Sequence, residues 1–281
     1  MELKESELKE RLLELEINEF HHPGKDEMRE LIPAMLVYVG TTDSYLRDDL
    51  IYTAFTEWIS EDNLLDKEQL RNVLSVILDD NHMLYRIGEK DTDSVFTRSF
   101  SVLILPQLLS VHISRQLFES KEINRVKEQL LFFLANEKDR RGYVEGKGWA
   151  HAIAHSADAL AELVLCTEVN NSGLTEILGA ISKIICVSDH CYIHSEEERL
   201  VTAVLEVIKK RSISEPEIFQ WLDSFSSNAL AVKSFPERII IRSNVKNFLQ
   251  SLYFRLSWEG ILNSYGPVID QTLRKISPYT N

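Results

Sequence analysis

The sequence is 281 residues long and carries a formal net charge of −13, from 44 acidic and 31 basic residues. A surface this acidic repels phosphate groups. We therefore expect neither nucleic acid nor a membrane as a partner. The proportions of 44% hydrophobic and 27% charged residues are typical of a folded globular protein and argue against disorder. Three cysteines do not make a disulfide framework, and the acidic N-terminus is unlike a signal peptide, so we expect a cytoplasmic protein.

Apolar residues recur at helical spacing along most of the chain. Only ten glycines and seven prolines interrupt it, which favours helices over many-stranded sheets. No stretch shows convincing strand alternation. In chain order, the spacing predicts helices over residues 8–15, 26–38, 43–59, 66–78, from 93 with an interruption at Pro106, 122–135, 149–165, 174–187, 195–208, 216–232, 236–256 and 267–276.

The predicted helices form pairs, and a new pair begins about every 48 residues, near the roughly 40–47 residues of HEAT and armadillo repeats. We therefore expect an all-α fold in which stacked antiparallel helix pairs form a superhelix, with an α/α toroid as the alternative. The whole chain, residues 1–281, is expected to form one domain. Residues 1–42 would then be an N-terminal cap.

The stretch from Asp139 to Asp158 is the strongest candidate for a functional site. A polar loop with three glycines runs there into an alanine-rich helix, and the junction reads Gly-Trp-Ala-His-Ala-Ile-Ala-His-Ser-Ala-Asp from Gly148. Because successive residues are about 100° apart on a helix, His151, His155 and Asp158 share one narrow stripe. Alanines on both sides let other helices approach closely, so the stripe is expected to face a cavity or groove.

Three interpretations of this stripe remain open. Two histidines one turn apart, followed by a carboxylate, have the reach to share a divalent metal ion. The same residues suit an acid–base pair in which Asp158 orients His155. They also suit a buried polar network, with Arg98 and Glu198 as partners. The His-Glu-x-x-His pattern of zinc proteases is absent, and that class of enzyme is excluded.

The loop before the helix is a second candidate binding site, for an anion. Arg141 and Lys147 add positive charge near a predicted helix N-terminus, a combination that binds anions. Alternatively, the glycines only permit a tight turn that Tyr143 and Trp149 anchor. The candidate ligand-binding residues are therefore Arg98, Arg141, Tyr143, Lys147, Trp149 and Glu198.

Several stretches together resemble the bacterial family called domain of unknown function 2785. They are 47–50 (Arg-Asp-Asp-Leu), 94–101 (Ser-Val-Phe-Thr-Arg-Ser-Phe-Ser), 141–144 (Arg-Gly-Tyr-Val), 148–155 with Asp158, 197–200 (Glu-Glu-Arg-Leu) and 247–256 (Asn-Phe-Leu-Gln-Ser-Leu-Tyr-Phe-Arg-Leu). The Gly-Trp-Ala-His segment is the most specific of them. The resemblance implies an all-helical bacterial protein and no established activity.

Two functions follow as hypotheses. The first is a helical-repeat protein that binds a peptide or a small anionic ligand in a concave polar pocket around residues 148–158. The second is a metal-assisted, hydrolase-like enzyme that uses His151, His155 and Asp158, with a divalent metal as cofactor. Composition and motifs do not decide whether the protein is an enzyme.

Overall fold

A computed structural model describes residues 3–21, 23–61 and 64–279, and there the chain is all-α apart from one small hairpin. This confirms the predicted fold class, while the superhelix and the toroid stay predictions. The α-helices of the described ranges are α1 (Glu5–Glu16), α2 (Lys25–Val37), α3 (Thr53–Ser60), α4 (Lys67–Ile77), α5 (Ser94–Arg115), α6 (Ser120–Asn136), α7 (Ala152–Leu165), α8 (Asn171–Ile185), α9 (Glu196–Lys210), α10 (Glu215–Ala231), α11 (Glu237–Trp258) and α12 (Leu262–Ile276). A π-helix (Tyr45–Tyr52) runs directly into α3, and strands β1 (Tyr143–Val144) and β2 (Gly148–Trp149) pair antiparallel.

The chain divides into two compact units, Met1–Ala159 and Leu160–Asn281. In the first, α5 packs against α3 and α4, and α1 packs against α2 and the π-helix. In the second, α9 packs on α11 and α10 on α12, and consecutive helices such as α10 and α11 are also in contact. The single domain and the N-terminal cap over residues 1–42 stay predictions.

Helix α5 supplies much of the core of the first unit. Most of its side chains are buried, including Phe96, and Trp58 of α3 is fully buried and donates a hydrogen bond from Nε1 to the Phe20 carbonyl at 3.1 Å. The chain before the π-helix lies very close to α5: a Cβ at Gly40 would stand 2.4 Å from Thr97 Cα. Only glycine fits where two backbones approach so closely.

Side-chain caps explain where several helices begin. The Asp66 carboxylate accepts from Gln69 N at 2.9 Å, and the Gln69 side chain accepts from Asp66 N at 2.9 Å, a reciprocal capping box at the start of α4. Asn170 caps α8 by accepting from Gly173 N at 3.0 Å. Ser195, directly before α9, is not such a cap, because it has a φ of +64° and its side chain makes no capping hydrogen bond.

Three of the differences from the predicted helix boundaries involve prolines or left-handed backbones. Pro106 does not interrupt α5, which continues to Arg115 because buried apolar residues on both sides of the proline outweigh one missing hydrogen bond. Helix α12 begins at Leu262, before Pro267. Helix α7 begins at Ala152 rather than Trp149, since Gly148 (φ +80°) and His151 (φ +46°) have left-handed backbones that a helix cannot include.

Of the helices in the described ranges, α5 alone has the length and apolar composition to cross a membrane, with a mean hydropathy of 1.4 over its most apolar window. Of that window, 78% is buried inside the protein, as in the core helix of a globular fold. The expected absence of a membrane partner stays a prediction.

Candidate functional site

The candidate site is built on the hairpin of β1 and β2, which leads directly into α7. Tyr143 lies opposite Trp149 in the antiparallel register, and Val144 lies opposite Gly148. Two further backbone bonds extend this pairing, because Ala150 N donates to the Gly142 carbonyl at 2.8 Å and the next amide donates to the Arg141 carbonyl at 3.1 Å. The segment is therefore a backbone-bonded hairpin and not a loose glycine-rich loop.

A buried arginine from the π-helix anchors the turn of this hairpin. Arg47 is fully buried, and its guanidinium donates to the Lys147 carbonyl at 2.7 Å and to the Thr41 carbonyl at 2.7 Å. The same group lies 4.3 Å and 4.6 Å from the ring centroids of Phe96 and Phe100, within cation–π range. Arg47 thus joins the hairpin turn to the π-helix and to α5.

Gly148 allows this close approach. Its φ of +80° is one that side-chain-bearing residues rarely adopt, and a Cβ there would lie 2.8 Å from Ser44 Cβ and 3.0 Å from an Arg47 guanidinium nitrogen. Gly146, in the same turn, has a φ of +71° but no atom within 4 Å of a built Cβ. Both positions therefore have a backbone conformation that favours glycine. Only at Gly148 would a side chain also collide with neighbouring atoms.

Five rings form a continuous row from the surface into the first unit, and we call them the aromatic row. Tyr143 is 52% exposed and Trp149 is 39% exposed, with ring centroids 5.1 Å apart and edge to face. Trp149 stacks on His151 at 4.2 Å, His151 meets His155 edge to face at 5.9 Å, and His155 meets Phe100 edge to face at 5.2 Å. The outer end of the row is exposed and its inner end is buried.

The two histidines are held by the start of α7. The His151 carbonyl accepts the first helical hydrogen bond, from His155 N at 2.9 Å, although the φ of His151 is +46°. Nδ1 of His155 lies 3.2 Å from the Ser99 carbonyl, which can only accept, so this nitrogen is the donor. Asp158 follows on the same helix and is half-buried. A metal ion or an acid–base role at these residues stays a prediction.

The basic residues predicted to bind an anion are engaged by carboxylates. Arg141 donates from Nε and Nη2 to Asp139 at 2.8 Å and 2.6 Å, and the Asp139 carboxylate raises the pKa of Arg141. Lys147 Nζ lies 2.7 Å and 2.8 Å from the carboxylate oxygens of Asp93. An incoming anion would therefore have to compete with carboxylates already in place.

Arg98 lies inside the first unit rather than on a surface. Its guanidinium forms a bidentate pair with Glu137, at 2.6 Å and 3.0 Å, and both side chains are fully buried. Arg98 also donates to Ser94 Oγ at 2.8 Å and to the Tyr85 carbonyl at 3.1 Å. These contacts form a buried network between Arg98 and Glu137. A network that joins Arg98 to His151, His155 and Asp158 stays a prediction.

Glu198 belongs to the second unit. It is exposed, its carboxylate accepts from Ser251 Oγ at 3.4 Å, and its carbonyl accepts from Arg255 Nη1 at 3.3 Å. The other predicted ligand-binding residues lie in the first unit, and so do His151, His155 and Asp158.

Sequence reasoning gave no individual role to three residues that hold the site, although Asp139 begins the candidate stretch. For Arg47 the sequence does indicate burial, because this residue lies on the same helical face as the apolar residues Ile51 and Ala54. For Glu137 and Asp139 no sequence pattern indicates burial or a partner, since they are two of 44 acidic residues and lie just after a predicted helix end. Asp139 connects the two charged pairs, because its amide donates to Glu137 at 2.8 Å and its carboxylate binds Arg141.

Asp48, beside Arg47, should make stability depend on pH. Burial raises the pKa of its carboxyl to about 6, although Arg47 opposes the shift with an ion pair at 2.8 Å. Between about pH 4 and pH 6 the folded protein then holds a proton that the unfolded chain releases, so this group's contribution to stability falls as the pH rises through 6. We expect wild type to lose stability relative to Asp48→Asn as the pH rises from about 4 to about 7, measured by urea unfolding. A difference that stays constant or changes in the opposite direction would contradict the assignment.

Comparison with known protein families gives a match over the middle of the chain. A family model described as "Protein of unknown function (DUF2785)" matches residues 83–254. This range contains the hairpin, the start of α7 and the Arg98–Glu137 pair, and it begins after Arg47. No curated protein and no solved structure matches the chain.

Proposed function

The chain belongs to the DUF2785 family of proteins of unknown function, and we propose that it is a binding protein that holds a peptide on its hairpin. The contact surface is the outer end of the aromatic row, Tyr143 and Trp149. The observation that carries the proposal is that two large aromatic side chains are exposed on a segment whose backbone is firmly anchored. That these residues line a concave pocket belongs to the same proposal.

Rigid exposure distinguishes this pair from incidental surface aromatics. Tryptophan and tyrosine dominate the energetic centres of protein interfaces because they bury large areas with few rotatable bonds. Here Trp149 stacks on His151, and the turn between the strands is held by Arg47. A ligand that binds such a preorganised surface loses little conformational entropy of the protein, which increases affinity.

The charges around the hairpin favour a peptide over a free anion. Arg141 and Lys147 are paired with Asp139 and Asp93, so neither offers a charge without competition. Asp93 is about half-exposed and Asp91, near Arg141, is 67% exposed. A peptide that places an apolar or aromatic side chain on Trp149, and a basic side chain toward these carboxylates, matches the surface in both shape and charge.

Selection from a random peptide library displayed on phage tests the proposal. We expect peptides enriched on the wild-type protein to bind at least about tenfold more weakly to Trp149→Ala, as is usual for an interface centre. The matched control is Trp258→Ala, which removes a tryptophan that is 77% exposed in the second unit and should leave binding unchanged. Thermal unfolding followed by circular dichroism checks that each variant is folded.

Two outcomes would overturn the proposal. One is that no peptide is enriched on wild type, and the other is that the enriched peptides bind Trp149→Ala and Tyr143→Ala as tightly as wild type. Inorganic phosphate, titrated by calorimetry, separates the anionic ligand from the peptide. Saturable phosphate binding that Lys147→Gln abolishes would favour the anion instead.

A further inference from the structure

A second candidate site lies in the second unit, in a groove between α11 and α12. The groove has a volume of about 630 Å³, within the range of small-molecule binding sites. Residues of α11 form one wall, and the end of α12 with the segment after it forms the other. The residues on which the argument depends are Ile239, Arg242, Lys246, Leu273, Ile276 and Tyr279.

Two positive charges stand on the α11 wall. Arg242 and Lys246 are one helical turn apart, so their side chains leave the same face of the helix. Among residues 3–21, 23–61 and 64–279, neither has a carboxylate within ion-pair distance, and the buried Arg242 Nε has no hydrogen-bond acceptor. Asp270, the carboxylate that lines the groove, is bound to Arg274 at 2.7 Å.

This local charge is opposite to that of the whole chain. Among the described residues, those that line the groove include three cations and one carboxylate, whereas the sequence has a formal net charge of −13. A buried guanidinium nitrogen without an acceptor is uncommon in folded proteins, because an unmet buried donor is destabilising. An anion between Arg242 and Lys246 would satisfy both groups.

The rest of the groove is apolar. Ile239 is 46% exposed on α11, Leu273 is half-buried, and Ile276 forms a buried floor. Tyr279, after α12, is 92% exposed and lines the same groove. A purely polar anion would leave this apolar surface in water, whereas a ligand with a hydrocarbon chain would cover it.

We propose that this groove binds a small amphipathic anion, with its charged head between Arg242 and Lys246 and its hydrocarbon chain along Ile239, Leu273 and Tyr279. Arginine suits a carboxylate because its planar guanidinium donates two parallel hydrogen bonds. This groove does not include the hairpin. A test of the groove therefore neither supports nor contradicts the proposed peptide function.

Titration calorimetry with decanoate, a ten-carbon carboxylate, tests this site. Wild type is expected to bind about one decanoate per chain, and the double variant Arg242→Gln/Lys246→Gln to bind at least about tenfold more weakly. The matched control is Lys233→Gln/Arg238→Gln, which removes two cations near the start of α11 that do not line the groove. It should keep binding within about twofold of wild type.

A second variant tests the apolar part without altering charge. Ser243→Trp places a large ring in the groove and should abolish decanoate binding while both cations remain. Uncharged decanol should bind at least about tenfold more weakly than decanoate. The proposal is overturned if wild type does not bind decanoate saturably, if the double variant binds it equally well, or if decanol binds as tightly.

Discussion

Replacement of Arg98 by methionine is expected to lower the free energy of unfolding by about 3–5 kcal/mol. Methionine fills much of the same volume but leaves the Glu137 carboxylate buried without its cation. Three carbonyl groups, of Tyr85, Arg86 and Glu89, also lose a donor. Urea unfolding followed by circular dichroism measures the loss.

The double variant Arg98→Met/Glu137→Leu separates loss of a pair from loss of packing. It should be more stable than the sum of the two single changes predicts, by about 2 kcal/mol, because no unpaired charge remains buried. Arg29→Met is the control, since Arg29 and Asp26 form an ion pair with 72% and 97% of their side chains exposed. It should change stability by less than about 0.5 kcal/mol. Strict additivity in the double variant would show that the pair is not the source of the effect.

Gly148→Ala is expected to destabilise the protein by about 2–5 kcal/mol. The left-handed backbone costs a non-glycine residue about 1–2 kcal/mol, and crowding against Ser44 and Arg47 adds about 1–3 kcal/mol. Because Arg47 holds the turn from the other side, the methyl group should also weaken the anchor of the hairpin.

Gly146→Ala is the matched control for this change. It has the same kind of backbone but open space around the new methyl group, so only the backbone cost of about 1–2 kcal/mol should remain. Urea unfolding of both variants under identical conditions gives the comparison. Equal destabilisation would mean that the contact of Gly148 with Ser44 and Arg47 contributes nothing.

Much of the helical architecture could be predicted from the sequence. Helix α4 follows the predicted range within a residue, because its apolar periodicity and the Asp66 cap are both local signals. The hairpin was missed because two-residue strands are too short to show alternation. The start of α7 was placed three residues early because the left-handed backbone of His151 has no sequence signature.

The sequence indicates where the candidate site lies but not how its residues contact each other. Trp149, His151 and His155 were singled out, and the structure brings them into one aromatic row. Arg141 and Lys147 were predicted to attract an anion, whereas the structure pairs each with an aspartate. A sequence shows which side chains are charged, but it does not show which charges are already neutralised.

The sequence by itself determined the all-α class and the position of most helices, because helical periodicity and caps depend on residues within about four positions of each other. Only the tertiary structure decided the partners of the buried charges. Arg98 pairs with Glu137, 39 positions away, and Arg47 binds the carbonyl of Lys147, 100 positions away. Those pairings depend on how helices pack, so no local pattern records them. The hairpin that the sequence marked only by its glycines and aromatic residues is held in place by one of these distant contacts.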